Sequence, residues 1–207
     1  MRYRSLTTET APAVEPLSVS EAKQHLRVDI DDDDTYIGSL ITAARKYAEE
    51  YLDRALVSQQ LTMRLDTFPY EFELPRPPMA TSGTLTATAI TYALDPGSAS
   101  TATPATTTLS ATSYRVDRDD TPGKIRTVYN GTWPSHLTDP NAVTVSWWAG
   151  YGSAGSDVPQ AIRHAILMHV AHLYESRQAA VATGAVPQNV PFGVKALLDT
   201  CKWGSYA

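Results

Sequence analysis

The sequence predicts an α+β protein, in which helices from the N- and C-terminal regions form a core and an antiparallel β-rich region is inserted between them. Three observations predict this class. Apolar residues recur at three- and four-residue steps from Ile37 to Ala55, as on one face of a helix. The period changes to alternation over much of residues 58–150, which is typical of half-buried strands. Helical spacing then returns over residues 159–177 and again over residues 194–201.

The composition is that of an ordinary globular protein. The 207 residues are 43% hydrophobic and 19% charged, and the formal net charge is −5. This acidic balance does not favour a surface that neutralises many phosphates, as nucleic-acid binding normally requires. The single cysteine, Cys201, has no partner for an internal disulfide. Because neither a transmembrane run nor a signal peptide is recognisable, we expect a cytoplasmic product with no membrane partner.

The N-terminal region begins without periodicity. Residues 1–16 contain threonines and prolines, and we expect an extended N-terminal arm there. The first helical segment, residues 17–57, opens with Ser18 and Glu21, which have the S-x-x-E spacing of a capping box. A short helix is therefore expected over residues 19–27.

Five aspartates at positions 29–34 raise the question of a calcium site. A calcium loop that starts at Asp29 needs glycine at its sixth position and glutamate at its twelfth, where the sequence has Asp34 and Leu40. Carboxylates before a helix instead cap its free N–H groups and complement its dipole. The run therefore predicts a helix start, and a long apolar stripe follows it: Ile37, Leu40, Ile41, Ala44, Ala48, Tyr51, Leu52 and Ala55.

The inserted region, residues 58–150, alternates apolar and polar side chains between proline- and glycine-containing turns. Residues 81–113 contain 11 threonines, with a turn expected at Asp95 to Gly97 and a loose tip over 98–108. We expect one small antiparallel sheet of about five to seven strands. The alternating apolar positions are Leu61, Met63 and Leu65; Tyr70, Phe72 and Leu74; Tyr114 and Val116; Ile125 to Tyr129; and Val143, Val145 and Trp147.

Residues 151–207 return to helical spacing after a glycine-rich turn. Pro159 suits the first position of a helix that continues to about Arg177. The apolar face of this helix contains Ile162, Ile166, His169 and Leu173. A last amphipathic segment follows a link of small residues and places on one face Val194, Leu197, Leu198 and Cys201.

The chemically reactive residues do not match a known catalytic or metal motif. His164, His169 and His172 share one predicted helix, but H-E-x-x-H is missing and His164 lies about 140° around the helix from His169. We expect His169 to be partly buried and structural. Cys201 has no motif around it, the glycine-rich turn fits neither phosphate loop, and Asp117 to Asp120 are expected to be solvated. The sequence thus predicts a non-enzymatic protein without a metal or cofactor.

Several segments in a fixed order carry a resemblance to a known family. They are LSVSEAKQHLRVDIDDDDTYIGSLITAARKYAEEYLDRAL, RLDTFP, LPRPP, SYRV, WPSHLTDPNAVTVSWWAGYG and VPQAIRHAILMHVAHLYESRQA. Together they resemble the head-tail connector family of tailed bacteriophages, adaptor proteins whose ring lies beneath the portal. The resemblance extends from Leu17 over nearly the whole chain, includes the acidic run, and weakens over 98–108 and after Val190. Prophages and gene transfer agents use the same part.

The resemblance implies a structural subunit in the neck of a virion or phage-like particle, made in the bacterial host cytoplasm. The partners it implies are the portal protein, a stopper or tail-completion protein, and further copies in a ring of about twelve subunits. Genome DNA would pass through the ring without specific binding, which agrees with the acidic balance. Two alternatives stay open: a DNA-packaging accessory protein that binds DNA directly, and a metal-dependent hydrolase that uses the helix histidines.

Two sets of residues are predicted to make contacts during assembly. We expect the ring to form through lateral contacts between the long helices, with charge pairing available at Arg45, Glu49, Arg163 and Arg177. The C-terminal segment after Val190 is predicted to dock on the portal through Phe192, Leu197, Leu198, Trp203 and Tyr206. The alternative for Trp203 is that its side chain covers the protein's own core.

Overall fold

The computed structural model describes residues 3–80, 88–95, 105–176 and 191–202, and it confirms the α+β class. Its elements in chain order are β1 (Ser5–Thr10), α1 (Val19–Leu26), α2 (Asp34–Leu52), β2 (Gln59–Leu65), β3 (Glu71–Glu73), β4 (Ala89–Ala93), β5 (Thr106–Thr108), β6 (Tyr114–Asp117), β7 (Lys124–Thr127), β8 (Val143–Ala149), α3 (Gln160–Glu175) and α4 (Phe192–Asp199). Two compact units result. The β unit comprises residues 1–13 and 58–151, and the helical unit comprises residues 14–57 and 152–207.

The helical unit begins with the predicted capping box. The Ser18 side chain accepts a hydrogen bond from the Glu21 backbone N–H at 3.1 Å, and the Glu21 carboxylate accepts one from the Ser18 backbone N–H at 2.8 Å. Both bonds satisfy N–H groups that a helix start leaves without partners. α2 and α3 then bury residues of the stripes that the periodicity predicts, including Ile37, Ile41, Ala44, Ala48, Leu52, Ile162, Ile166 and His169.

α4 is the last helix of this unit, and it packs against both α2 and α3. Its buried side chains are Val194 and Leu198, which are each 1% exposed. In the described part of the chain, no helix has both the length and the apolar character needed to cross a membrane.

The β unit contains a five-stranded antiparallel sheet in the order β1-β2-β8-β4-β5. In its centre Leu61 lies opposite Trp147 and Met63 lies opposite Val145, and all four side chains are fully buried. Such directly opposed apolar pairs are the main source of stability between neighbouring strands.

A separate three-stranded sheet has the order β3-β7-β6, so the prediction of a single sheet is wrong. Phe72 of β3 lies opposite Ile125 of β7, which in turn lies opposite Val116 of β6. Alternation along each strand predicts which side chains are buried, but it contains no information about which strand pairs with which. The number of sheets therefore does not follow from the pattern.

Three local features also differ from the sequence-based expectations. Ser5–Thr10 of the expected arm at 1–16 form β1, an edge strand whose backbone pairs with β2 while its side chains are mostly exposed, which explains the missing hydrophobic alternation. Thr106–Thr108 of the expected loose tip form β5, whereas 98–104 lie outside the described residues. Tyr70, predicted to face the core, is 85% exposed because β3 begins only after it.

Candidate assembly surfaces

The aspartate run precedes α2 as predicted, but its carboxylates act differently from the expected caps. Asp33 is the N-cap residue and makes no side-chain capping bond; its carboxylate accepts a hydrogen bond from the Tyr174 hydroxyl of α3. Lys23 of α1 lies 2.6 Å from Asp31 and 2.8 Å from Asp34. The hydrogen bond from Lys23 lowers the pKa of the Asp31 carboxyl. These carboxylates therefore connect the start of α2 to the two neighbouring helices.

Other members of the same run face solvent. Asp29, Ile30 and Asp32 are exposed, and the Asp29 and Asp32 side chains have no hydrogen-bond or ion-pair partner among the described residues. Over the same described ranges, no three His, Cys, Asp or Glu side chains are grouped to hold a metal ion. We name Asp29 to Asp32 the acidic turn.

The predicted ring-interface residues Arg45 and Glu49 are buried on α2, with 6% and 3% of their surface exposed. The Arg45 guanidinium donates to Glu49 at 2.6 Å and to Glu15 at 2.7 Å. Glu49 also accepts a hydrogen bond from the backbone N–H of Leu56 at 3.1 Å. The expectation that these two side chains are available for charge pairing between subunits is therefore wrong, because contacts inside the chain already use their charges.

Arg163, a third predicted ring residue, lies on α3 with 16% of its side chain exposed. Its guanidinium donates to the Glu21 carboxylate and, at 3.0 Å, to the carbonyl of Pro16. The Ser18 backbone N–H and then the Arg163 guanidinium lower the pKa of Glu21. Arg163 thus joins α3 to the α1 cap, and Arg177, the fourth predicted ring residue, lies outside the described residues.

The helix histidines do not converge on one point. His169 is buried, as its place on the apolar face predicts, and its ring contacts the Tyr47 ring edge-on at a centroid distance of 4.8 Å. Burial, and secondarily the nearby His172, lower the pKa of His169. His164 is exposed and contacts His25 instead, with ring centroids 6.2 Å apart. These contacts indicate a structural role for His164 and His169.

The predicted docking residues on α4 divide between two environments. Leu198 is buried and Leu197 is half-buried, whereas Phe192 is 86% exposed at the first position of the helix. The Tyr51 hydroxyl of α2 donates to Asp199 at 2.7 Å, which fixes the other end of α4. Trp203 and Tyr206 lie outside the described residues.

The β unit presents an arginine pair that the sequence pattern does not reveal. Arg115 of β6 lies directly opposite Arg126 of β7, and both side chains are exposed. With Val116, Asp117, Arg118 and Asp119 they line a shallow depression. The two arginines are 11 positions apart in sequence, and only the register of the hairpin brings them together.

Comparisons with known proteins define a class of structural proteins from phage-like particles. Residues 16–76 match the sequence profile of the phage gp6-like head-tail connector family. A protein described from the neck of an empty gene transfer agent (GTA) particle, computed with C6 symmetry, has a similar structure with a TM-score of 0.73. Its sequence is 26% identical, and the likeness covers 96% of this chain and 95% of that chain.

Two further structures show the same likeness. A protein from the virion of a native GTA particle matches with a TM-score of 0.69 and 25% identity, covering 95% of this chain and 94% of that chain. One from the neck of a native GTA particle, computed with C12 symmetry, has the same TM-score of 0.69 and 25% identity over 96% of this chain and 94% of that chain. None of the curated proteins matches the chain. The match over residues 16–76, together with the likeness of nearly the whole chain to these neck proteins, supports a head-tail connector with a structural and not an enzymatic role.

Proposed function

We propose that the chain assembles as a ring in the neck of a phage or gene transfer agent particle, between the portal and a stopper or tail-completion protein. The observation that carries this proposal is the likeness to GTA neck proteins over 96% of the chain. Those necks were computed with sixfold and twelvefold symmetry, which supports a ring of twelve copies here. The net charge of −5 suits a channel through which DNA passes without binding.

We propose further that the C-terminal end of the chain binds the portal, through Phe192 together with Trp203 and Tyr206. An aromatic ring with 86% of its surface in water at Phe192 contributes little to the fold and gains energy when a partner buries it. Val194 and Leu198, in contrast, hold α4 on its own unit. Leu198 is therefore used inside the chain and not at the portal, and Leu197 is half-buried.

Truncation after Lys202 tests the docking proposal without removing α4. This chain keeps Val194, Leu198 and the Tyr51–Asp199 hydrogen bond, and it is combined with Phe192→Ala. We expect portal binding, measured by co-sedimentation with purified portal rings, to be lost while the melting temperature stays within about 2 °C of the parent value.

The matched control is Tyr129→Ala, which removes an 89% exposed aromatic side chain from the β unit. It should leave both portal binding and melting temperature unchanged. Full portal binding by the truncated Phe192→Ala chain would contradict the docking proposal.

A reconstruction of the particle neck tests the ring itself. We expect density for this chain in a closed ring directly below the portal. A single copy at that level, or its location elsewhere in the particle, would contradict the proposed function. Direct DNA binding predicts instead a steep loss of DNA affinity with added salt, which a filter-binding titration measures.

A further inference from the structure

The outer face of the three-stranded sheet carries charged side chains in two rows. In the first row Glu71, Arg126 and Arg115 follow one another across β3, β7 and β6. In the second row the register places Glu73, Lys124 and Asp117 side by side. Because the buried face holds the alternate residues of each strand, both rows lie on the opposite face.

The two rows differ in how their cations are paired. Lys124 forms an ion pair with Asp120 at 2.7 Å, which raises the pKa of the lysine. Arg115 and Arg126 have no side-chain hydrogen bond or ion pair with any described residue, although Glu71 is the cross-strand neighbour of Arg126. The first row therefore leaves two guanidinium groups unpaired.

Unpaired like charges directly opposite each other destabilise an antiparallel pair, since the side chains of opposed residues lie close together. A carboxylate placed between two guanidinium groups removes this repulsion and accepts charge-assisted hydrogen bonds from both. The arginine pair is thus suited to a carboxylate-bearing partner, and the two arginines line a depression that such a partner can enter.

The helical unit of the same chain offers the complementary group. Asp29 and Asp32 of the acidic turn are exposed and have no side-chain partner among the described residues, and Ile30 between them is 60% exposed. A head-to-tail ring requires two different, complementary patches on every subunit. The chain carries such patches in the arginine pair and the acidic turn.

We propose that the arginine pair, Arg115 and Arg126, binds the acidic turn of a neighbouring copy and forms part of the lateral contact of the ring. This inference rests on the proposed function, since it specifies which surfaces meet between copies. It replaces the charge pairing expected at Arg45 and Glu49, which are used inside the chain.

Charge exchange tests the contact in rings assembled on purified portal. We expect Arg115→Glu with Arg126→Glu to weaken ring completion about tenfold at low salt, and Asp29→Lys with Asp32→Lys to do the same. The chain carrying all four substitutions should recover ring completion, because the attraction is restored with reversed sign. Arg64→Glu, which changes an exposed arginine of β2, is the matched control and should have no effect.

Cross-linking gives an independent measurement. In a Cys201→Ser background, chains with Arg126→Cys and chains with Asp32→Cys are mixed before assembly and oxidised. We expect disulfide-linked dimers from the mixture and not from either chain alone. The proposed contact is wrong if the mixture gives no linked dimers, or if the double glutamate chain completes rings as well as the parent. Neither result contradicts the proposed ring. If the parent forms no ring, the proposed function fails and this inference with it.

Discussion

Arg45 of the helical unit and the arginine pair of the β unit use their charges in opposite ways. In the helical unit Arg45 and Glu49 are almost fully buried and paired, and Arg163 is bonded to Glu21. In the β unit Arg115 and Arg126 are exposed and unpaired among the described residues, while the interior contains apolar side chains such as Trp147. The difference separates charges that maintain the fold from charges that remain available for a partner.

The helical unit needs such internal charges because it is built from two distant pieces of chain. The bonds from Arg163 to Glu21, Tyr174 to Asp33 and Tyr51 to Asp199 each join residues more than 140 positions apart. Directional polar contacts specify how the pieces fit, whereas apolar stripes alone permit several alignments. The β unit obtains the same specificity from strand register, to which the unpaired side chains of Arg115 and Arg126 contribute no hydrogen bond or ion pair.

The largest expected effect comes from disrupting the apolar interior of the β unit. Phe72→Ala removes a ring that is 1% exposed and lies opposite Ile125, and we expect it to reduce the free energy of unfolding by about 3–5 kcal/mol. Urea denaturation measures the change. The control Tyr70→Ala, at a side chain that is 85% exposed, should stay within about 0.5 kcal/mol of the parent. Equal effects of the two substitutions would contradict the assigned burial.

The next largest effect is expected from disrupting the buried charges of the helical unit. Glu49→Ala leaves Arg45 with Glu15 alone and the Leu56 N–H without its acceptor, so we expect a loss of about 3 kcal/mol in urea denaturation. Glu49→Gln keeps an oxygen acceptor and should lose less. Glu50→Ala, at the exposed neighbouring position, is the control and should change little. If Glu49→Ala left the free energy of unfolding unchanged, the buried charges of the helical unit would not maintain its fold, and the comparison drawn above would fail.

The smallest effect is a pH dependence that belongs to the helical unit. Burial lowers the folded-state pKa of His169 below its ordinary value of 6.5, so the unfolded chain binds a proton first as the pH falls. Stability should therefore be unaffected by His169 above pH 6.5 and decrease as the pH falls from there to about 5, before most carboxyl groups titrate. Melting temperatures across this range measure the decrease.

His169→Gln should abolish this slope, since glutamine does not titrate in the same range. The control His164→Gln changes an exposed histidine of the same helix and should keep the slope. A slope that persists in the His169→Gln protein would assign the pH dependence to another group.

The sequence predicted the helices and strands better than it predicted the candidate surfaces that they carry. Helical spacing placed Arg45 and Glu49 on polar-looking positions of α2, but the partners that bury them, Glu15 and the backbone of Leu56, come from outside that helix. The arginine pair shows the converse, since nothing in SYRV or in KIRT indicates that the two strands align Arg115 with Arg126. Of the predicted docking residues on α4, Phe192 is exposed in the structure, although no periodicity in the sequence indicated this.

The sequence by itself determined the features that depend on neighbours a few residues away. The capping box of Ser18 and Glu21, the helical stripe of α2 and the alternation of β8 are such features, because their hydrogen bonds and faces repeat over short distances along the chain. Only the tertiary structure decided that β3, β6 and β7 form a second sheet, that Arg45 is enclosed by carboxylates and that Arg115 meets Arg126. Those outcomes depend on contacts between residues distant in sequence, and no local period encodes which distant residues pair.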